Sequence, residues 1–225
     1  MLENVSKNFK SNGLSNNKIL ISDNKVFKYV KLNRKTQNIL NWLQTNNNQY
    51  LPILTITQDW LCYDVINGYT FVKIGLTNAK HLIQILITIQ NIQKIKYKRK
   101  YIVHGDLSPV NVIFDQNLHV KKIIDWDNVS IGSKYQDPAY VFWLWINFGS
   151  EKKTLQQIKY EANIFKKIMN YNNNNDLNKI KKWIYKVIKK EMKKHYNQIK
   201  NDKILLNWYF ECIRWVKQQW NMLWN

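Results

Sequence analysis

One stretch in the middle of the chain constrains it more than any other: HGDLSPVN at 104–111, followed by IIDWD at 123–127. Each follows or ends a short apolar segment, so two strands deliver polar residues from their adjoining loops to one place. Phosphoryl transfer to a hydroxyl needs a carboxylate that orients the attacking oxygen and takes its proton, with oxygen ligands for magnesium on the nucleotide phosphates. Asp106, Asn111 five residues on, and Asp125 on the next strand supply those groups. Pro109 fixes one φ angle between them and helps hold the loop in register. Singly, each is an ordinary turn or cap residue. Their spacing alongside His104, Gly105 and Trp126 makes them a constellation.

Around this centre the chain divides in two. KILIS (18–22) and KVFKYV (25–30) are β-rich and separated by Asp23-Asn24, which suits a hairpin, with a turn-rich GLSNN before them. Residues 36–44 place Ile39, Leu40 and Leu43 on one helical face, and residues 53–74 offer two or three short strands, DWLCYDV the clearest, with a turn at Asn67-Gly68. Beyond them 79–92 reads as a helix apolar on more than one face, and helices follow at 156–169, 177–199 and 205–224, with NYNNNN (170–175) as a polar linker. The expectation is an α+β chain with an amino-terminal lobe over 1–66 and a larger, mainly helical lobe over 67–225.

Lys and Arg total 35 against 15 Asp and Glu, a formal charge of +20. Two origins compete, an anion-binding surface and a compositional bias in which 32 of the 35 are Lys and Asn occurs 31 times. Residues 151–200 alone carry 14 Lys against four acids. Cys62 and Cys212 stand far apart, which excludes a disulfide scaffold and a cysteine-based zinc site. The most apolar helical stretch, 82–92, is too short to cross a bilayer, so a cytoplasmic protein without a transmembrane segment is expected.

The two central motifs resemble those of the aminoglycoside phosphotransferase and choline kinase superfamily, whose catalytic loop has the form H-G-D-x-x-x-x-N and whose metal-binding segment is I-D-W/F-D/E. The resemblance implies a protein-kinase-like two-lobed fold and an ATP- and Mg2+-dependent kinase. Asp106 would be the catalytic base with His104 as the scaffold of its loop, and Asn111, Asp125 and Asp127 would serve the metal. The segment from Gly13 to Leu40 looks like the choline kinase, LicA-type and thiamine kinase branch. By that likeness Gly13, Leu14, Ser15 and Asn16 form the phosphate-side turn and Lys28 is the strand cation on the phosphates. Gln37 and Asp64 would lie on the same nucleotide side, near a cleft at 62–68.

For the acceptor, the choline kinase end of the family implies aromatic and acidic residues: Trp208, Glu211 and Trp215 at helical spacing, with Trp126, Asp127 and Trp143 lining the same cleft. The expected partner is a small cationic alcohol, choline before ethanolamine or thiamine, and nucleic acid is not expected. An aminoglycoside or sugar-like acceptor is the enzymatic alternative. A non-catalytic kinase-like module binding nucleotide or nucleic acid is the alternative from another class. Two departures stand out. Gln37 replaces the Glu that pairs the strand cation, although its amide can still hydrogen-bond Lys28. Val141 stands where D-P-x-x-D-L-A has its second Asp, the one that braces the catalytic loop.

Overall fold

Asp23 and Asn24 both adopt left-handed backbone conformations, φ 50° and 59°, and fold β1 (Ile19–Ser22) back onto β2 (Lys25–Tyr29). Consecutive positive φ angles match the twist of a tight hairpin, and Asp and Asn tolerate them. The computed structural model describes residues 19–46, 48–57, 59–71, 77–150 and 152–224. β4 (Trp60–Asp64) runs antiparallel to β2 and carries β3 (Thr55–Ile56) on its far edge, giving the sheet order β1-β2-β4-β3. The register sets Lys28 of β2 opposite Leu61 of β4.

The helix α1 (Arg34–Thr45) starts at Asn33, whose side chain accepts the Thr36 N–H at 3.0 Å. That cap satisfies a donor the first helical turn leaves open. Ile39, Leu40 and Leu43 are buried as their spacing predicts. α1 also touches β9 (Ser130–Gly132) and the turn Trp126–Asn128 that ends the IIDWD segment, so the small lobe rests on the candidate site.

In the large lobe α2 (Ala79–Lys94) packs against α3 (Gln136–Ile146) and α4 (Leu155–Met169), which explains why it is apolar on more than one side. α3 is the central helix: every residue from Asp137 to Ile146 is buried. Each large apolar side chain there contributes about 2 kcal/mol of burial, so the helix has little freedom to shift. α5 (Asn174–Ile199) lies along α3, and α6 (Lys203–Gln218) packs on α5. Three small strand pairings carry the polar loops: β5 (Lys96–Tyr97) with β6 (Lys100–Val103), β6 with β9, and β7 (Val112–Phe114) with β8 (Val120–Ile123).

This is the two-lobed α+β architecture expected. Its boundaries differ from the sequence reading in two places. The Asn-rich linker is shorter, because Asn173 accepts the Asp176 N–H at 2.8 Å as a cap and Asn174 and Asn175 already belong to α5. The last helix ends at Gln218, and Trp220–Leu223 continues as a separate 3-10 turn. Among the described residues no helix is long and apolar enough to cross a membrane.

Candidate functional site

The chain leaves β6 at Val103 and turns at once. Gly105 holds φ at 85°, and a Cβ there would come within 2.9 Å of the Asn128 carbonyl oxygen, so both conformation and space call for glycine. The turn is held from α3: the carboxylate of Asp137 accepts the His104 N–H at 2.8 Å and the Gly105 N–H at 3.0 Å. This corrects the sequence reading, which placed the brace at position 141. Val141 is fully buried in the apolar core, and the brace comes from Asp137, one helical turn earlier.

His104 ties the two motifs together. Its Nε2 lies 2.9 Å from the Ile124 carbonyl oxygen, which can only accept, so Nε2 carries the proton and Nδ1 accepts the Asp106 N–H at 3.3 Å. Burial pulls its pKa down, keeping the ring neutral. Trp126 packs edge-on against it with ring centroids 4.7 Å apart and donates its indole N–H to the Ile123 carbonyl at 2.6 Å.

Asn111 closes the 3-10 turn Pro109–Asn111 and donates its side-chain amide to the Asp106 carbonyl at 3.0 Å, while its own carbonyl accepts the Ile124 N–H at 2.9 Å. Asp125 follows in a left-handed conformation, φ 65° and ψ 48°, uncommon for a residue with a Cβ. Onto this corner the sheet of the small lobe sends Lys28, which is buried and bonds both Asp125 and Asp127, the latter at 2.9 Å. Asp127 also accepts from the Asn128 amide at 2.9 Å.

The charges compete in a dry place. Burial drives the Asp106 carboxyl up to about 6, helped by the nearby negative charges of Asp125 and Glu191. Asp127 rises to about 6 for the same reasons, burial first and then Asp125. Asp125 goes the other way: burial would raise it, but the Lys28 ammonium outweighs that and holds it below the ordinary carboxylate range. Lys28 is raised despite its burial by the same two carboxylates.

As a donor set, two carboxylates and the Asn111 amide oxygen suit a hard divalent cation such as Mg2+. With the Asn111 amide nitrogen engaged on Asp106, its oxygen is the group left to act as a ligand. Among the described residues no three His, Cys, Asp or Glu side chains cluster as a self-sufficient metal site, so further oxygens would come from a ligand. Gly13, Leu14, Ser15 and Asn16 lie outside the described residues. The Gln37 amide donates to the Leu32 carbonyl at 3.2 Å, and Asp64 is exposed and pairs with Lys25 at 3.1 Å. Tyr63, which sequence reasoning passed over, is close enough to Asp125 for that charge to help raise its pKa, after burial, to about 12.

The aromatic residues proposed for the acceptor are distributed differently. Trp126 and Trp143 are buried at 2% and 1% exposure. Trp208 stacks on Trp143 at 5.4 Å, Trp215 is buried against Phe148, and Glu211 pairs with Arg214 at 2.5 Å. Trp208 and Glu211 border a cavity of about 680 Å³ together with Gly149, Lys152 and Lys203. Besides Asp125, the groups whose charges act on Asp106 come from α5: Glu191, Lys194 and His195. No sequence signal marked them, since one Glu among lysines on a long helix looks like a solvated face.

Residues 80–160 match the APH family, described as phosphotransferase enzyme family. Serine/threonine-protein kinase 1 of African swine fever virus is 30% identical over 98 residues, covering 43% of this chain and 31% of that kinase. The matched segment thus spans under a third of that relative. Among solved structures, choline kinase LicA from Streptococcus pneumoniae superposes with a TM-score of 0.61 at 14% identity, covering 96% of this chain and 97% of the other. The amicoumacin kinase hAmiN does so with a TM-score of 0.64 at 10% identity, over 92% and 87%. At these identities the likeness is one of fold. Both superpositions give the chain a protein-kinase-like two-lobed fold, and the match to the APH family lies within its large lobe, over residues 80–160.

Proposed function

We propose that the chain transfers the γ-phosphoryl group of ATP to a hydroxyl of a small molecule. The observation that carries this reading is the convergence of Asp106, Asn111 and Asp125 on loops tied by His104, with Lys28 reaching in from the other lobe. The Asp106 carboxylate aligns the acceptor hydroxyl and takes its proton as that oxygen bonds the γ-phosphorus and the bond to the β–γ bridging oxygen breaks, leaving ADP. Lys28 is the cation for the nucleotide phosphates. Asn111 and Asp125, with Asp127 beside them, would hold Mg2+, which when bound neutralises charge on the β and γ phosphates. Within this class the reading makes no choice among choline, ethanolamine, thiamine and a sugar-like alcohol.

The test is Mg2+-dependent ATP consumption by the purified chain over a panel of such alcohols, with phosphorylated product identified by mass. Asp106→Asn is the control, expected to abolish turnover while the circular dichroism spectrum stays unchanged. Full activity in that variant would remove Asp106 from the chemistry, and strongly salt-dependent nucleic-acid binding without turnover would favour a non-catalytic module.

A further inference from the structure

Lys28 is a small-lobe side chain almost wholly out of water. A buried ammonium needs a carboxylate beside it, and needs it at a fixed point if the cation is to meet phosphates in a fixed place. Among the described residues of the small lobe, no carboxylate bonds it. α1 carries Arg34 and Lys35 but neither Asp nor Glu. The Gln37 amide nitrogen is engaged at the entry to its own helix, on the Leu32 carbonyl at 3.2 Å. Asp64 pairs with Lys25 at 3.1 Å, and Asp23 accepts from the Ser22 hydroxyl at 3.1 Å in the hairpin turn. Both hydrogen bonds described for Lys28 cross to the large lobe, one to Asp125 and one to Asp127.

The two acceptors are not equivalent. The side chain of Asp125 is 27% exposed and that of Asp127 12%. Asp127 lies in the turn Trp126–Asn128, next to an indole fixed on the Ile123 carbonyl at 2.6 Å. Its Oδ1 accepts from the Asn128 amide at 2.9 Å, and its Oδ2 faces Lys28 at 2.9 Å. The Asn128 carbonyl packs against Gly105, which ties this turn to the loop of Asp106, and α1 rests on the same turn. Asp125 is thus the carboxylate more open to a ligand, while both oxygens of Asp127 are already engaged by neighbouring side chains.

We propose that Asp127 is the positioning residue for Lys28, its carboxylate holding the nucleotide cation from the large lobe in place of an acidic residue on α1. The inference rests on the phosphotransferase reading for what Lys28 meets, and it divides the carboxylates of IIDWD between two tasks. Asp125 stays with Asn111 for the metal, and Asp127 stays with the lysine. Placement of Lys28 then depends on the meeting of the two lobes at this turn and not on a movement of α1.

The experiment exposes the purified, nucleotide-free chain briefly to an amine-reactive ester and reads each lysine by peptide mass spectrometry, with the exposed Lys25 of the same strand as the internal standard. In Asp127→Asn the labelling of Lys28 should rise at least about fivefold, and in Gln37→Leu it should stay within about twofold of the parent. Lys153, half out of reach of solvent on Glu161 at 2.6 Å, reports whether the large lobe stays folded. Asp127→Glu, which keeps the charge but shifts it by one methylene, is the second variant and should free Lys28 by at least about twofold even if the first fails to fold. In turnover, Asp127→Asn should raise the KM for ATP at least about tenfold while the Mg2+ concentration for half-maximal rate stays within about twofold. Labelling of Lys28 that is unmoved in both Asp127 variants, or raised as far in Gln37→Leu, would overturn the inference and leave the phosphotransferase reading standing. A raised Mg2+ requirement with an unchanged KM for ATP would also overturn it, returning Asp127 to the metal. Lys28 freed as expected in a chain that phosphorylates no alcohol would keep the pairing and overturn the phosphotransferase reading alone, since labelling needs neither ATP nor turnover.

Discussion

The Lys28 ammonium lies 2.9 Å from a carboxylate oxygen of Asp127, joining the sheet of the small lobe to the turn that ends the IIDWD segment. Asp125 takes the same ammonium, and the three side chains form a mostly buried cluster with one positive and two negative charges. Removing the cation strands two carboxylates. Lys28→Met should therefore lower stability by about 3–5 kcal/mol at pH 8. The loss should shrink toward pH 4, where the stranded carboxyls take up protons. Urea denaturation at the two pH values measures it, and equal losses at both would mean that the pair does not hold the lobes electrostatically. Turnover in the variant should fall roughly 100-fold or more.

Asp106 sets up an opposition between activity and stability. Its carboxyl is moved by burial from the ordinary 3.8 to about 6, so between those values the folded state binds more protons than the unfolded one and stability falls as pH rises. At neutral pH this costs the folded state up to about 3 kcal/mol. Asp106→Asn should consequently be inactive yet more stable than the parent by about 1–3 kcal/mol at pH 7.5. The difference should vanish below pH 4, where the carboxyl is neutral in both states. Thermal unfolding across that range decides it, and a variant less stable than the parent at pH 7.5 would contradict the assignment.

The same carboxyl predicts the acid limb of the rate profile. As the proton acceptor it works only when ionised, so kcat/KM should decline as pH falls through about 6, well above the range of an exposed aspartate. Asp127 protonates in the same region, which should make the limb steeper than a single ionisation. A profile flat down to pH 4.5 would place the base elsewhere.

Asp137 holds two buried backbone N–H groups of the turn that leads to Asp106. Asp137→Ala leaves both without an acceptor, at about 1–3 kcal/mol each, and should reduce kcat at temperatures where the fold persists. Introducing the carboxylate where the family pattern has its second Asp should do harm: Val141→Asp buries a charge in the core of α3 and should cost about 3 kcal/mol or more. Differential scanning calorimetry of the pair separates the two positions, and a neutral Val141→Asp would show that the core can open there.

What the sequence revealed was local. The H-G-D-x-x-x-x-N loop, the IIDWD strand end and the Asp23-Asn24 hairpin each lie within a few residues, so residue spacing, turn chemistry and family likeness make them readable. Partners far apart along the chain were not readable. Lys28 was singled out by family register, but its contacts with Asp125 and Asp127 arise only when the two lobes close on each other. The brace comes from Asp137, the first Asp of the family pattern and not the second, a choice that the packing of α3 against the His104 turn makes and the pattern alone does not. Glu191 and Lys194 come to Asp106 through the contact of α3 with α5, for which periodicity gives the buried face but not the neighbour. For the tryptophans, helical spacing does not distinguish a ring facing a ligand from one stacked on a neighbour, as Trp208 is on Trp143.

A histidine two residues from the carboxylate proposed as the base is the natural suspect for a proton relay. In His104 both ring nitrogens are already assigned to backbone groups, one giving its hydrogen to Ile124 and the other receiving that of Asp106. The ring has no lone pair to offer a passing proton and no spare hydrogen to surrender. The imidazole is thus no outlet for a proton on Asp106, and it serves as a fastener between two strands that must keep step.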